Sequence, residues 1–125
     1  MTTPVFVSFD YDHDARLKDL LVGQAKHSDT PFTIADWSVK SASAGWKEDA
    51  RARIRRADQV IVLCGRNMGS ASGVNIEIEL ARSERTPYFL LAGYDDSTKP
   101  SGASASDKLY KWTWDNLKAL ISGSR

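Results

Sequence analysis

The chain reads as an α/β domain: a parallel sheet of about five strands, covered by helices on both faces. Two observations predict this. Short β-branched and aromatic runs alternate with longer stretches of helical period from one end of the chain to the other. The runs are also nearly continuous in apolar residues, Gln59-Val60-Ile61-Val62-Leu63-Cys64-Gly65 most of all. Strands with both faces covered look like that, whereas half-wet strands alternate. At 125 residues the chain has the size of one domain, and a single domain is expected over residues 1–125.

Val5-Phe6-Val7-Ser8-Phe9 opens the series as a strand beginning just after Pro4, and runs into an acidic loop, Asp10 to Asp14, whose last Asp is placed to cap a helix. That helix carries Leu17, Leu20, Leu21 and Gln24 at helical spacing and stops near Lys26-His27-Ser28. After a turn at Asp29-Thr30-Pro31, Phe32 to Asp36 forms the second strand, and a Ser/Ala-rich loop runs from Trp37 to Gly45. Trp46, Ala50, Ile54 and Ala57 mark the buried face of a second helix that is otherwise charged, with Arg51, Arg53, Arg55 and Arg56. Arginines late in a helix suit its macrodipole, and the face carries acids too, so a solvated face is expected ahead of a nucleic-acid footprint. The Gln59–Gly65 strand, a loop from Arg66 to Ser72, a third helix ending near Glu84-Arg85, and a strand from Tyr88 to Gly93 follow. Tyr94 to Ser106, dense in Ser, Gly, Asp and Pro, is expected to be the most flexible segment. Lys108 to Trp114 reads as a short edge strand, and Leu117, Leu120 and Ile121 as the buried face of a last helix.

Composition excludes several classes of function. Net charge is +1, so no nucleic acid or anionic membrane is demanded as a partner. Cys64 is the only cysteine and His13 and His27 lie in unrelated segments, which argues against a disulfide, a CxxC site or a histidine metal cluster. Met-Thr-Thr-Pro leads directly into an apolar strand with no secretory pattern, no apolar run approaches a membrane span, and the expected location is the cytoplasm. There is no GxGxxG, no GxxxxGK[ST] and no GxSxG.

In a parallel sheet of this kind ligands bind beyond the carboxyl ends of the strands. The loops Asp10–Asp14, Asp36–Gly45 and Cys64–Ser72 therefore converge on one edge, and Glu77 stands about a turn into the helix that leaves the third loop. On that helix Val74, Ile78 and Ala81 fall on one side and Ile76 and Leu80 on another, with Glu77 between them. Glu79 falls on the wet arc with Asn75, Arg82 and Ser83. A carboxylate among apolar groups is costly to ionise, and such positions are often functional. The plainer alternative is a Glu at the edge of the buried stripe whose head reaches water.

Two chemistries fit. Glu77 could stabilise positive charge on a sugar while an N-glycosidic bond breaks, with Tyr11, Trp37 or Trp46 as aromatic walls; for Trp46, core packing is the competing role. Alternatively Asp10 and Asp12, ending an apolar strand as Asp-x-Asp with Asp95-Asp96 later, resemble the haloacid-dehalogenase phosphatase layout, a magnesium phosphotransferase.

Four stretches, Phe6 to Asp12, Val60 to Gly65, Gly73-Val74-x-x-Glu77 and Tyr110 to Leu117, together resemble the TIR-like domain of Thoeris antiphage systems. The tryptophan block, Tyr110 to Leu117, is the most specific of them. The resemblance implies a flavodoxin-like three-layer sandwich. It implies cleavage of NAD⁺, as substrate and not cofactor, at the nicotinamide–ribose bond, by hydrolysis or by cyclisation to a cyclic ADP-ribose signal in antiviral defence. Glu77 takes the catalytic position, Glu79 does not, and no metal is needed. The substrate-binding set expected around it is Phe9, Asp10, Tyr11, Asp36, Trp37, Ser38, Trp46, Gly65 and Arg66. Implied partners are further copies of the chain through TIR surfaces and a separate effector reached by the diffusible nucleotide, with no nucleic acid and no membrane. A non-catalytic nucleotide- or protein-binding module is the alternative within the same family. Two departures stand out: Gly73 replaces the Trp of many TIR domains, and acids, Asp12 and Asp14, replace the usual basic residues after the first strand. An acidic rim repels a diphosphate. Arg66 or the amides opening the Glu77 helix could offset it.

Overall fold

The computed structural model describes residues 3–11, 13–27, 30–38, 45–66, 68 and 71–123. Along the chain come β1 (Thr3–Ser8), α1 (Ala15–Ala25), β2 (Phe32–Trp37), α2 (Trp46–Arg56), β3 (Gln59–Cys64), α3 (Ser72–Ser83), β4 (Tyr88–Ala92), β5 (Leu109–Lys111) and α4 (Trp114–Ser122). The five strands form one parallel sheet in the order β2-β1-β3-β4-β5. This is the expected α/β three-layer, flavodoxin-like arrangement. The chain steps outward from β1 to β2, then returns past β1 to β3 and continues the other way, so the winding reverses between β1 and β3.

Side-chain alternation on the central strands divides the core in two. Val5, Val7, Ile61 and Leu63 pack with Leu17 and Leu21 of α1 and with Leu117, Leu120 and Ile121 of α4. Phe6, Val60, Val62 and Cys64 pack with Ala50 and Ile54 of α2 and with Val74, Ile78 and Leu80 of α3. Burying such side chains contributes about 1.5–3 kcal/mol each, the main force holding the helices to the sheet.

Two local expectations fail. Leu20 is exposed, because Leu17 and Leu21 alone fill the α1 contact. Asp14 is the N-cap residue of α1, but its carboxyl makes no capping hydrogen bond. The segment from Tyr94 to Ser106 makes hydrogen bonds back to the domain. Thr98 donates its N–H to Gly65 O (2.9 Å) and accepts from the Met68 N–H (3.1 Å). Asn75 on α3 binds Ser101 and Gly102 (both 2.8 Å), and Asp107 receives the Tyr88 hydroxyl and the Ser104 N–H. The arginines of α2 are largely absorbed internally: Arg51 and Arg55 reach Glu84 (3.1 and 2.7 Å), and Arg53 reaches Asp36 (3.3 Å). The tryptophan block docks α4, with Trp112 Nε1 donating to Gln24 (2.9 Å) and Thr113 capping the helix through Asn116 N–H (3.1 Å).

One irregularity positions the site. Val5 pairs with Ile34, but the next β1 residue, Phe6, pairs with Asp36, so Ala35 is an extra residue on β2. A bulge of one residue reverses which face every later side chain meets. Asp36 thereby joins Phe6 on the α2/α3 face, where Arg53 meets it, and Trp37 joins Val7 on the α1 face, where Lys18 lies 5.1 Å from its ring. Ser38 N–H then bonds Val7 O (2.9 Å), and its hydroxyl turns to α3.

Deleting Ala35 is expected to turn Ser38 away from α3 and to destabilise the protein by about 1–3 kcal/mol, since a buried acceptor loses its donor. Ala35→Gly keeps the residue count and should cost below about 1 kcal/mol. Urea unfolding compares them; equal costs would contradict the role given to the bulge.

Candidate functional site

The site is built on Glu77. From α3 it enters the layer between sheet and helices and is 1% exposed. Its Oε1 accepts two hydroxyls, from Ser8 at the end of β1 (2.7 Å) and from Ser38 just past β2 (2.5 Å). Ser38 is itself pinned, accepting the Phe9 N–H at 3.1 Å. Burial pushes the Glu77 carboxyl up from 4.5 to about 7; the bonds from Ser38 and Ser8 and the charge of Arg53 oppose the rise without cancelling it. The group therefore exchanges its proton near neutrality, as a catalytic carboxylate does.

Ser38 belongs to the set that the resemblance implies and meets Glu77; Ser8 also meets it and is outside that set. Its only trace in the sequence is a hydroxyl in a run of Val and Phe, at the position that alternates with Phe6. Glu79 is exposed on the opposite arc, as its phase implies.

The remaining expected residues divide into groups. Phe9 is buried in the α1 core and stacked with Tyr11 (6.2 Å), and only its N–H reaches Ser38. Tyr11 and Trp37 stand exposed at the carboxyl edge, 48% and 39%. Asp36 is held by Arg53 and by the Trp37 N–H (2.9 Å). Asp10 pairs with His13 Nδ1 (2.8 Å). Arg66 lies 3.8 Å over the Tyr94 ring and bonds Asp96 (2.8 Å). Asp12, residues 39–44 of the loop after β2, and residues 67, 69 and 70 lie outside the described residues. Among the described residues no three His, Cys, Asp or Glu side chains are grouped as a metal site requires. Cys64, at the end of β3, is buried with its thiol pushed up to about 12 by desolvation, which leaves it without nucleophilic character.

Trp46 packs beside Gly73 at ordinary contact distance. The Trp46 ring, 8% exposed, lies on α3 so that a Cβ added at Gly73 would sit 3.8 Å from its Cζ2. Gly73 and Glu77 are one turn apart on the same side of α3.

Glu77→Gln tests the electrostatics. A carboxyl raised above its unfolded value favours folding below about 4.5 and withdraws that support as pH climbs through about 7. Relative to Glu77→Gln, the wild type should lose about 3 kcal/mol of stability between pH 4.5 and pH 8.5. Denaturant unfolding at both pH values measures the difference; parallel pH dependences would contradict it.

No helix among the described residues is long and apolar enough to cross a membrane. A search of curated proteins finds no match to the chain. The model of the family described as "Thoeris protein ThsB, TIR-like domain" matches residues 6–99, from β1 to the loop after β4, a match that includes Glu77 and stops short of the tryptophan block. The match covers well over half of the chain and agrees with the sheet order: the chain belongs to the Thoeris ThsB TIR-like family.

Proposed function

We propose that the protein cleaves NAD⁺ at the nicotinamide–ribose bond, with Glu77 as the catalytic carboxylate, within a Thoeris defence system. The observation that carries this reading is the pair of hydroxyls converging on one oxygen of a buried acid that titrates near neutrality. Two hydroxyls on one carboxylate is the pattern a ribose diol would present, so the substrate takes over acceptor capacity that Ser38 and Ser8 now fill. As the C1′–N bond breaks, its electron pair goes to the departing nicotinamide, which leaves neutral. Positive charge grows on the ribose, and the Glu77 carboxylate opposes it in a dry site. Water then adds to C1′ and loses a proton, giving ADP-ribose; if a nitrogen of the substrate's own adenine adds instead, the product is a cyclic isomer. Tyr11 and Trp37, exposed at the same edge, offer flat faces to a nucleobase, and Arg66 offers charge to the diphosphate once it leaves Asp96. Self-association and a separate effector reached by the nucleotide product complete the reading.

A non-catalytic binding module is the second reading, and the enclosure of Glu77 favours it. Nicotinamide release from NAD⁺ separates the two. The wild type should release nicotinamide at a rate that rises with pH and is half-maximal near 7. Glu77→Gln should lower the rate at least about 100-fold, and Glu79→Gln should leave it within about threefold. Binding without release would select the second reading, and activity that survives Glu77→Gln but not Glu79→Gln would overturn the assignment.

A further inference from the structure

A second carboxyl at the same edge remains unexplained by this chemistry. Asp14 is 6% exposed, yet it does not cap α1, and among the described residues no donor hydrogen-bonds its carboxyl. Burial, and then the neighbouring Asp10, raise its proton affinity; His13 and Arg66 lower it. Its oxygens are not sealed from solvent, so a ligand that supplies donors can reach them. Gly65 leaves room for it: a Cβ there would lie 2.3 Å from Asp14 Oδ1, so any larger residue would push the carboxyl aside.

That place has a topological meaning. The chain leaves β1 for the α1 face and leaves β3 for the α3 face, and the crevice between such strands is where open parallel sheets bind ligands. Glu77 borders the crevice from the α3 side through Ser8, which pairs with Val62. Asp14 borders it from the α1 side at Gly65, three residues further along, roughly 10 Å nearer the mouth at the usual strand rise. The crevice is thus flanked by an inner and an outer carboxylate.

We propose that Asp14 receives the adenosine ribose of the dinucleotide and makes the site reject a 2′-phosphorylated one. The inference rests on the NAD⁺ reading of Glu77. A carboxylate can only accept, and a vicinal diol offers it two O–H donors, the recognition that acidic residues give to ribose in other dinucleotide sites. A phosphate on the 2′ oxygen removes one donor and sets a dianion against Asp14 and Asp10.

Calorimetric titration of NAD⁺ and NADP⁺ into Glu77→Gln protein, with and without Asp14→Asn, decides the matter. Without the Asn change, NADP⁺ should bind at least about tenfold more weakly than NAD⁺. Asp14→Asn should weaken NAD⁺ about fivefold or more and narrow the gap between the two to below about threefold. A thermal melt within a few degrees of the parent shows that the variant folds, and collapse of the ratio is a change that a merely structural role would not produce. If NAD⁺ binds and Asp14→Asn alters neither affinity nor ratio, the Asp14 assignment fails alone. If Glu77→Gln and wild-type protein bind neither dinucleotide, the NAD⁺ reading fails and this inference with it.

Discussion

An acid enclosed between a sheet and its helices must be supplied with donors by the chain around it, and that requirement organises this structure. Glu77 stands where Val74, Ile78 and Leu80 hold α3 to the sheet, so its carboxyl cannot be moved to water without lifting the helix. Two serines from two neighbouring strands answer the need. One arrives by ordinary alternation on β1. The other arrives only because β2 carries an extra residue that reverses its parity at Asp36. The compensation is incomplete, and what remains is a proton equilibrium near neutrality instead of a silent structural carboxylate.

The same logic accounts for the ends of the sheet. Reversal of winding between β1 and β3 places α1 on one face of the sheet and α3 on the other, and open parallel sheets bind ligands where the winding reverses. Gly65 has no Cβ, so Asp14 comes close; the glycine acts there by what it admits, not by an unusual backbone angle. Around the rim the long segment after β4 is drawn onto Gly65, Met68 and Asn75, which fixes the start of α3 and with it the depth at which Glu77 enters.

How much could be read beforehand depended on whether the cause was local. The strands announce themselves because sheets buried on both faces need unbroken apolar runs, and the phase of Glu77 against Glu79 follows from helical geometry alone. The parity reversal at Ala35 leaves no mark on composition, so the face on which Ser38 would lie was not legible even though its place at the edge was. Ser8 looked like a strand residue and is one; its function lies in a partner 69 positions away. Asp14 carried the pattern of a helix cap and does otherwise, since an Asp before a helix is equally free to turn toward a glycine one strand over. Leu20 fitted the helical stripe yet faces solvent, because propensity and period do not say how wide the contact below a short helix is.

The ionisation of Glu77 is the quantity on which all of this converges, and it can be observed directly. Carbon-detected NMR of protein labelled at the Glu side-chain carboxyl follows each group across pH. Wild-type Glu77 should titrate with a midpoint near 7, and Ser8→Ala or Ser38→Ala should move that midpoint upward, because each removes a donor that favours the charged form. A Glu77 midpoint near 4.5, unmoved by either serine substitution, would contradict the account.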